Sequence, residues 1–507
     1  MQTDAIPRAL PQWLAGGLVF LSSGAVLVLE IVGLRLVAPY IGVTLQTSSA
    51  VIGVALGAIA YGVWFGGWLA DRRDPRRLLA PALVLAGIAT ALTLPVVRAA
   101  GEVLRGNAAG GILLLTTLTV FVPAALLSSV TPMVIKLQLA DLRHTGRVVG
   151  KLSSLGTLGA ITATLGTGFV LVAALPSSVI MLVLAAILGV AGVALWIRWQ
   201  REGRAVRPGD PATSPAARGV VAVVGLLGAG LTALAPNPCD VETAYHCARI
   251  EAQGTDGRLL LLNSARHSYV DLGDPEHLEF AYTQWIGAVA DVVAPPGAPL
   301  DALHLGGGGF TLPRWLSATR PGSDHVVLEL DGGLVELDRA ELGVVPGPDL
   351  EIVVGDARVS LAGQPAASRD LVVGDAFGHL VVPWHLATRE FTAGIRRVVR
   401  PEGVYAQNVI DYPPDRFIRA EVATVAAVFR EVALIAPRAA LAGQTGSNFV
   451  IVASDAPLPL EALAQRLAVT SPAVPVVLTG AELDIWVGDA RVLTDDHAPV
   501  DQLLASP

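Results

Sequence analysis

The first half of the chain is a succession of long apolar segments separated by short polar ones. Each segment is long enough to cross a hydrocarbon layer of about 30 Å as a helix, which takes roughly 20 residues. We therefore predict a transmembrane helical domain over residues 1–236. Its predicted spans are 14–38, 48–70, 78–99, 110–134, 152–174, 177–197 and 219–236, of which the last is the shortest and is rich in glycine.

After Pro236 the pattern changes, because short apolar runs now alternate with amphipathic helical patterns. Residues 237–300 read as a small lead-in, with two antiparallel strands in CARIEA and RLLLLN and a helix that begins at Asp274-Pro275. Residues 301–507 read as a Rossmann-like α/β domain with a mainly parallel sheet. Its seven predicted strands are 302–305, 326–330, 351–354, 370–374, 403–409, 432–436 and 448–453. Its predicted helices are 311–319, 333–342, 387–399 and 416–430, and the tail from 458 is left unassigned.

The composition agrees with a protein that is partly embedded in a lipid bilayer. Hydrophobic residues make up 53% of the 507 and charged residues only 15%, which is too apolar for an ordinary soluble enzyme. The net charge of -8 argues against a nucleic acid partner, because phosphate binding needs a basic surface. With only two cysteines, wrongly spaced for a zinc site, we predict no metal.

Basic side chains are concentrated in alternate loops of the membrane half, and such loops face the cytoplasm. They are Arg72, Arg73, Arg76 and Arg77 after the second span, Lys136, Arg143, Arg147 and Lys151 around the loop after the fourth, and Arg198, Arg201, Arg204 and Arg207 after the sixth. Seven spans then place the amino terminus inside and the domain after Pro236 outside the cytoplasm, in a plasma membrane protein. Cys239 and Cys247 would lie where disulfides persist, so a short-loop bridge is predicted, with two unrelated thiols as the alternative.

Some residues within the predicted spans suggest either function or packing. Glu30 and Arg35 lie in the first span, where a charged group marks a functional site. The structural alternative is that Arg35 extends to the membrane interface and that Glu30 bonds to a neighbouring helix. The glycines of SLGTLGAITATLGTGF are predicted to let another helix approach closely. They include Gly156, Gly159, Gly166 and Gly168.

Four consecutive glycines, Gly306 to Gly309, stand between the first predicted strand of the α/β domain and its helix. Acidic residues then close the next three strands: Glu329 and Asp331, Asp356, and Asp375. Ligands of such sheets bind at the carboxyl ends of the strands, where a glycine turn admits a nucleotide and an acid accepts hydrogen bonds from the ribose. The spacing therefore predicts a nucleoside site.

Several motifs of the second half resemble the spermidine synthases, or aminopropyltransferases, which share the fold of the S-adenosylmethionine-dependent methyltransferases. The motifs are HLGGGGFTLPRWL, VVLELD, VVGDAR, VVGDAFGHLVVPWHLATREF and RPEGVYAQNVID, with HSYVDLGDPEHLEFAY upstream. In the membrane half, GGWLADRRDPRR looks like the cytoplasmic loop motif of major facilitator transporters. The whole chain is thus similar to bacterial proteins described as fused major-facilitator/spermidine synthase. The resemblance implies a methyltransferase-type, seven-strand fold.

The resemblance also implies a co-substrate, decarboxylated S-adenosylmethionine or S-adenosylmethionine itself, and assigns residues to it. Gly306 and Gly308 would line the loop that faces it. Glu329 would bind the ribose hydroxyls, and Asp356 with Ala357 would recognise the adenine.

The amine end of the site follows the family less closely. Asp375 corresponds to the acid that orients and deprotonates the attacking amine, and His267 and Tyr282 fall on substrate-binding positions. However, Gly309 stands where the synthases carry an aspartate that helps to bind the aminopropyl amine, and Gly378 replaces a second acid. Because a dicationic polyamine favours several carboxylates, these losses put the substrate in doubt.

The leading hypothesis is a membrane-anchored spermidine synthase-like protein that transfers an aminopropyl group to an amine acceptor. One alternative is a non-catalytic membrane transport or ligand-binding protein with a degenerate synthase-like domain, which an extracytoplasmic location would favour because the co-substrate is cytosolic. Another is an S-adenosylmethionine-dependent methyltransferase. The expected partners are the lipid bilayer, a small-molecule amine or other small ligand, and a second copy through the soluble domain.

Overall fold

The chain divides into two compact units, Met1–Pro238 and Cys239–Pro507. The computed structural model describes residues 10–105, 109–139, 145–204, 238–263, 265–378, 381–471 and 474–504. Each unit is described by itself below.

Within the described residues, the first unit contains six helices long and apolar enough to cross a membrane. They are α1 (Gln12–Ile41), α2 (Leu45–Arg72), α3 (Pro75–Val103), α4 (Ala109–Gln138), α5 (Thr145–Ala174) and α6 (Ser177–Arg201). Six predicted segments are thus confirmed as long apolar helices, which extend beyond the predicted bounds because helical hydrogen bonding continues into the flanking residues. The predicted span 219–236 lies outside the described residues.

Close packing of α5 against α1 depends on small residues. The prediction is confirmed for Gly156 and Gly159, two of the four glycines. A Cβ atom at Gly159 would lie 2.3 Å from the carbonyl oxygen of Phe20, and one at Gly156 would lie 2.9 Å from Oγ of Ser23. At Gly166 and Gly168 no described atom lies within 4 Å of such a Cβ, so the close approach of another helix at these two positions stays a prediction. The close contact with α1 therefore ends before these two positions.

Arg35 contacts a neighbouring helix. Its Nε atom donates a hydrogen bond to Oγ of Ser177, at the start of α6, over 3.3 Å. The structural alternative for Arg35, in which the side chain extends to the membrane interface, stays a prediction beside the functional one. A functional role for Glu30 stays a prediction.

The second unit begins with a four-stranded antiparallel sheet, in which two strands were predicted. The strands are β1 (Val241–Glu242), β2 (Cys247–Gln253), β3 (Gly257–Leu262) and β4 (Ala265–Asp271), paired in chain order. The predicted disulfide between Cys239 and Cys247 is present, with the two Cα atoms 5.1 Å apart. It closes a short loop, residues 239–247, that we call the disulfide loop.

The helix predicted from Asp274 begins only at Ala281, as α7 (Ala281–Val293). The carboxylate of Asp271 accepts hydrogen bonds from the backbone N–H groups of Gly273 and Asp274, and that of Asp274 accepts one from Glu276. Such local bonds stabilise turns in competition with a helix, so the Asp-Pro pair lies in a turn and does not begin the helix.

The main sheet has eight described strands: the seven that were predicted and one from the tail. In chain order they are β5 (Asp301–Leu305), β6 (Asp324–Glu329), β7 (Leu350–Val354), β8 (Arg369–Gly374), β9 (Val399–Asp411), β10 (Glu431–Ala436), β11 (Ser447–Ser454) and β12 (Val476–Thr479). Their order across the sheet is β12-β10-β11-β9-β8-β5-β6-β7. The pairs from β7 to β9 are parallel and those from β9 to β12 antiparallel, so the sheet is mixed.

Helices connect the strands and cover both faces of this sheet. They are α8 (Thr311–Thr319), α9 (Gly332–Glu341), α10 (Ala357–Ala362), α11 (Arg389–Val398), α12 (Arg416–Ala426), α13 (Arg438–Leu441), α14 (Leu460–Thr470), α15 (Gly480–Val487) and α16 (Val500–Leu503). Because β5, β6, β7 and β8 are parallel neighbours, the loops that follow them emerge at one edge. Backbone hydrogen bonds join these loops to the strand ends, from Gly306 N to Leu328 O, Gly355 N to Glu329 O and Asp375 N to Leu305 O.

The packing of α5 on α1 yields a prediction. Replacing Gly159 with valine should lower the thermal unfolding temperature of the full chain in detergent, since overpacking costs on the order of 1–3 kcal/mol and the new carbon would meet backbone atoms of Phe20. The control is Gly166→Val on the same helix, where the Cβ would have no close neighbour in the part of the chain that the structure describes. Equal unfolding temperatures for the two variants would contradict the close contact.

Candidate functional site

The glycine run forms the turn between β5 and α8 at the common edge of the parallel strands. Gly306 and Gly308 have positive φ angles of 93° and 49°, which favour glycine. A Cβ atom at Gly306 would lie 2.5 Å from the backbone oxygen of Asp375, so this turn touches the end of β8. The predicted loop is therefore in place beside the predicted acid.

Glu329, the last residue of β6, binds this turn through its carboxylate. Oε2 accepts a hydrogen bond from Gly307 N at 2.7 Å and Oε1 accepts one from Asp331 N at 2.9 Å. A carboxylate oxygen can accept further bonds, so each oxygen of Glu329 can still accept a hydrogen bond from a ligand. Asp331, the other acid considered for this role, is fully buried and binds protein groups through both carboxylate oxygens.

Asp356 follows β7 and caps α10, whose first residue is Ala357. Its Oδ1 accepts hydrogen bonds from Arg358 N at 2.9 Å and Val359 N at 3.1 Å, while its Oδ2 lies 2.9 Å from Nε2 of His385. Burial acts to raise the pKa of this carboxyl, but the bonds from Val359 and His385 outweigh it and hold the pKa below its usual value. An ionised acceptor therefore stands at the end of β7.

Asp375 follows β8 and is held by two side chains from other elements. Its Oδ1 accepts a hydrogen bond from Nδ2 of Asn408 at 2.9 Å and its Oδ2 accepts one from the hydroxyl of Tyr282 at 3.1 Å. Burial raises the pKa of Asp375 to about 6, against these two bonds, which lower it. Burial and the charge of Asp375 also raise the pKa of Tyr282 well above its ordinary value, so the phenol stays a donor.

Asn408 was not identified from the sequence as a site residue. It lies on β9 with 2% of its surface exposed, and its Oδ1 accepts a hydrogen bond from Nδ2 of Asn448 on β11 at 2.9 Å. That bond orients the amide so that its N–H group points to Asp375. A buried asparagine within an apolar strand needs a partner, which is the signal that could have revealed it.

The predicted substrate residues lie on the Asp375 side of the site. Tyr282, on α7, contacts the carboxylate directly. His267, on β4, packs edge-on against the ring of Phe377, two residues after Asp375, with ring centroids 6.4 Å apart. The structure thus brings Tyr282 to Asp375 and His267 to Phe377 in the loop after β8, while Glu329 and Asp356 occupy the ends of β6 and β7.

The fourth glycine of the turn packs tightly against the four-stranded sheet of β1 to β4. Gly309 N donates a hydrogen bond to Oγ of Ser268 at 3.0 Å. A Cβ at Gly309 would lie 2.9 Å from Cβ of Ser268 and 3.2 Å from Leu342. An acid at this position, which the resemblance to the synthases implied, would therefore require Ser268 to shift.

No family model matches the chain, but individual proteins do. A polyamine aminopropyltransferase from Vibrio vulnificus is 29% identical over 218 residues, which cover 40% of this chain and 70% of that protein. A crystal structure of a probable spermidine synthase from Corynebacterium glutamicum is 29% identical, with a TM-score of 0.47 over 50% of this chain and 95% of that one. The spermidine synthase of Thermotoga maritima is 17% identical, with a TM-score of 0.35 over 51% and 81%.

The second unit is spermidine-synthase-like. The aminopropyltransferase match supports the methyltransferase-type fold that the motifs implied for this unit. This match covers 40% of the chain. The resemblance of the helical unit to major facilitator transporters therefore stays a prediction.

The contacts of Asp375 yield a prediction about its ionisation. Tyr282→Phe removes a hydrogen bond to the charged form, worth about 1.5–3 kcal/mol, so the pKa of Asp375 should rise by roughly one to two pH units. Carbon-13 NMR titration of aspartate-labelled protein measures it, with Asp375→Asn assigning the signal. Tyr245→Phe, at a half-exposed tyrosine, is the control; a pKa that stays near 6 in Tyr282→Phe would contradict the assignment.

Proposed function

We propose that the second unit binds a nucleoside sulfonium at the ends of β5, β6, β7 and β8 and transfers its aminopropyl group to an amine. The donor in this proposal is decarboxylated S-adenosylmethionine. The observation that carries it is the carboxylate of Asp375, bonded to Tyr282 and Asn408 beside the glycine turn, with its pKa raised to about 6.

Three strand ends supply the nucleoside contacts in this proposal. Glu329 accepts hydrogen bonds from the two ribose hydroxyls, because backbone N–H groups already orient its carboxylate. Asp356 accepts one from the adenine amino group, and Ala357 lies beside it at the start of α10. The turn from Gly306 to Gly308 leaves room for the nucleoside because it carries no side chain.

Asp375 acts on the amine. An ammonium must lose a proton before its nitrogen can attack, and a carboxylate within reach can accept that proton. The nitrogen lone pair then forms a bond to the methylene carbon by which the aminopropyl group is attached to the sulfonium sulfur. The bond from that carbon to sulfur breaks, its electron pair stays on sulfur, and a neutral thioether nucleoside leaves. A pKa near 6 keeps Asp375 largely ionised at neutral pH and makes it a stronger base than an ordinary aspartate.

The second candidate function is ligand binding without chemistry, as part of a membrane transport or binding protein. It is favoured by the packing at Gly309, where the acid that would hold the aminopropyl amine would displace Ser268. Gly378, in place of another acid, supports it further. In this case the nucleoside contacts persist while transfer does not occur.

The helical unit anchors this function to a membrane in our proposal. The side on which the second unit lies depends on residues 219–236, which lie outside the described residues. The charge pattern predicts the extracytoplasmic side. A reporter enzyme fused after Pro238 tests this, because activity of a cytoplasm-specific reporter would contradict the predicted side.

Product release gives the direct test of transfer. The full chain in detergent, supplied with decarboxylated S-adenosylmethionine and amines of one or two charges, should release methylthioadenosine. Asp375→Asn should lower the rate by about 100-fold or more, since general-base catalysis contributes that much, while nucleoside binding is retained. Asp455→Asn, at a surface ion pair with Arg396, is the matched control.

Each outcome separates the candidate functions. Nucleoside binding without any product would favour the non-catalytic function. Release of S-adenosylhomocysteine from S-adenosylmethionine would indicate a methyltransferase instead. An Asp375→Asn variant as active as the unmodified chain would contradict the role of this acid.

A further inference from the structure

The disulfide loop reaches the nucleoside side of the candidate site through two polar side chains. The hydroxyl of Thr243 donates a hydrogen bond to Oδ2 of Asp331. Nδ1 of His246 lies 3.0 Å from the same oxygen. Both residues lie between Cys239 and Cys247, so the disulfide closes the segment that contacts Asp331.

This contact is closely packed and ordered by bonds within the loop. Thr243 Oγ1 accepts hydrogen bonds from the N–H groups of Tyr245 and His246 at 3.2 and 2.8 Å. Thr243 is 5% exposed, and a Cβ at Gly333 would lie only 3.0 Å from Cβ of Thr243. The loop therefore lies directly on the first turn of α9, where Asp331 is the capping residue.

Asp331 links the disulfide loop to Glu329. Its Oδ1 accepts hydrogen bonds from Gly333 N and Leu334 N at 3.1 and 3.3 Å, while its Oδ2 is occupied by the loop. With the side chain fixed at both oxygens, the backbone N–H of Asp331 is fixed too. That N–H group donates to Oε1 of Glu329 at 2.9 Å, and Oε2 of Glu329 accepts from Gly307.

The ionisation of Asp331, compared with that of Asp338, shows how strongly the disulfide loop acts on Asp331. Burial, and then the charges of Glu329 and Asp331, raise the pKa of the nearby Asp338 to about 9. Burial also acts to raise the pKa of Asp331, yet the hydrogen bonds from His246 and Thr243 outweigh it and hold that pKa below its usual value. The loop thus keeps a fully buried carboxylate ionised next to Glu329.

We propose that Asp331 is a positioning residue for Glu329, held in place by Thr243 and His246 of the disulfide loop, so that nucleoside affinity depends on the disulfide. The inference rests on the proposed function in one respect, that the ligand of Glu329 is a nucleoside. A dithiol that passes two electrons and two protons to the disulfide would yield two cysteine thiols and become oxidised itself. The opened loop would then hold Asp331 less firmly.

A purely structural role for the disulfide has a different signature. In that case reduction would lower the unfolding temperature without changing the affinity of the folded protein or the backbone N–H groups that bind Glu329. The test therefore measures affinity, amide exchange and unfolding temperature on the same samples, below the unfolding transition.

The experiment titrates methylthioadenosine into the full chain in detergent, by calorimetry, before and after treatment with dithiothreitol. His246→Gln and the reduced protein should each bind about tenfold more weakly, as expected for the loss of about 1.4 kcal/mol. Cys239→Ser/Cys247→Ser should match the reduced protein and no longer respond to dithiothreitol. His277→Gln, in an exposed pair with Glu279 of the same lead-in, is the control and should bind like the unmodified chain.

A ligand-free readout accompanies the titration. In His246→Gln, hydrogen exchange should be faster in peptides containing the amides of Gly307 and Asp331, the two donors to Glu329. Unchanged affinity and unchanged exchange in both His246→Gln and the reduced protein would overturn the inference. Absence of nucleoside binding by the unmodified chain would overturn the proposed function and the predicted redox-dependent affinity. In that case, unchanged exchange would also overturn the positioning role.

Discussion

Two backbone hydrogen bonds to the carboxylate of Glu329 hold the candidate site together. One comes from Gly307 in the turn after β5 and the other from Asp331 in the loop after β6. They join the loops of two neighbouring parallel strands, so the shape of the glycine turn and the orientation of the acid depend on each other. The contact of Gly306 with the backbone of Asp375 extends this arrangement to the end of β8.

The acids of this edge differ in ionisation because their surroundings differ. Asp356 accepts hydrogen bonds from the backbone N–H groups of α10 and is bonded to His385, and its pKa is lowered despite burial. Asp375 receives two side-chain bonds from the described residues, and burial prevails to raise its pKa to about 6. This edge thus combines an acid whose pKa is lowered with one whose pKa is raised, the pair of properties that the proposed nucleoside and amine roles require.

The sequence predicts what depends on local pattern, and it fails where distant residues meet. The seven strands, the glycine turn and the acids after β6, β7 and β8 follow from apolar runs and their ends. Asn408 and the disulfide loop bind acids far away in the chain, and periodicity carries no information about such partners. The start of α7 was misjudged because aspartate side chains bind the backbone of the preceding turn. Spacing alone also cannot show that the close contact of α5 with α1 ends before Gly166.

A structure of the full chain with bound methylthioadenosine would show whether the carboxyl ends of β5 to β8 bind a nucleoside through Glu329, as we propose. We expect both ribose hydroxyls within hydrogen-bond distance of Glu329, the adenine amino group at Asp356 and the sulfur facing Asp375. A nucleoside bound elsewhere, or one in this site whose ribose does not contact Glu329, would contradict this proposal.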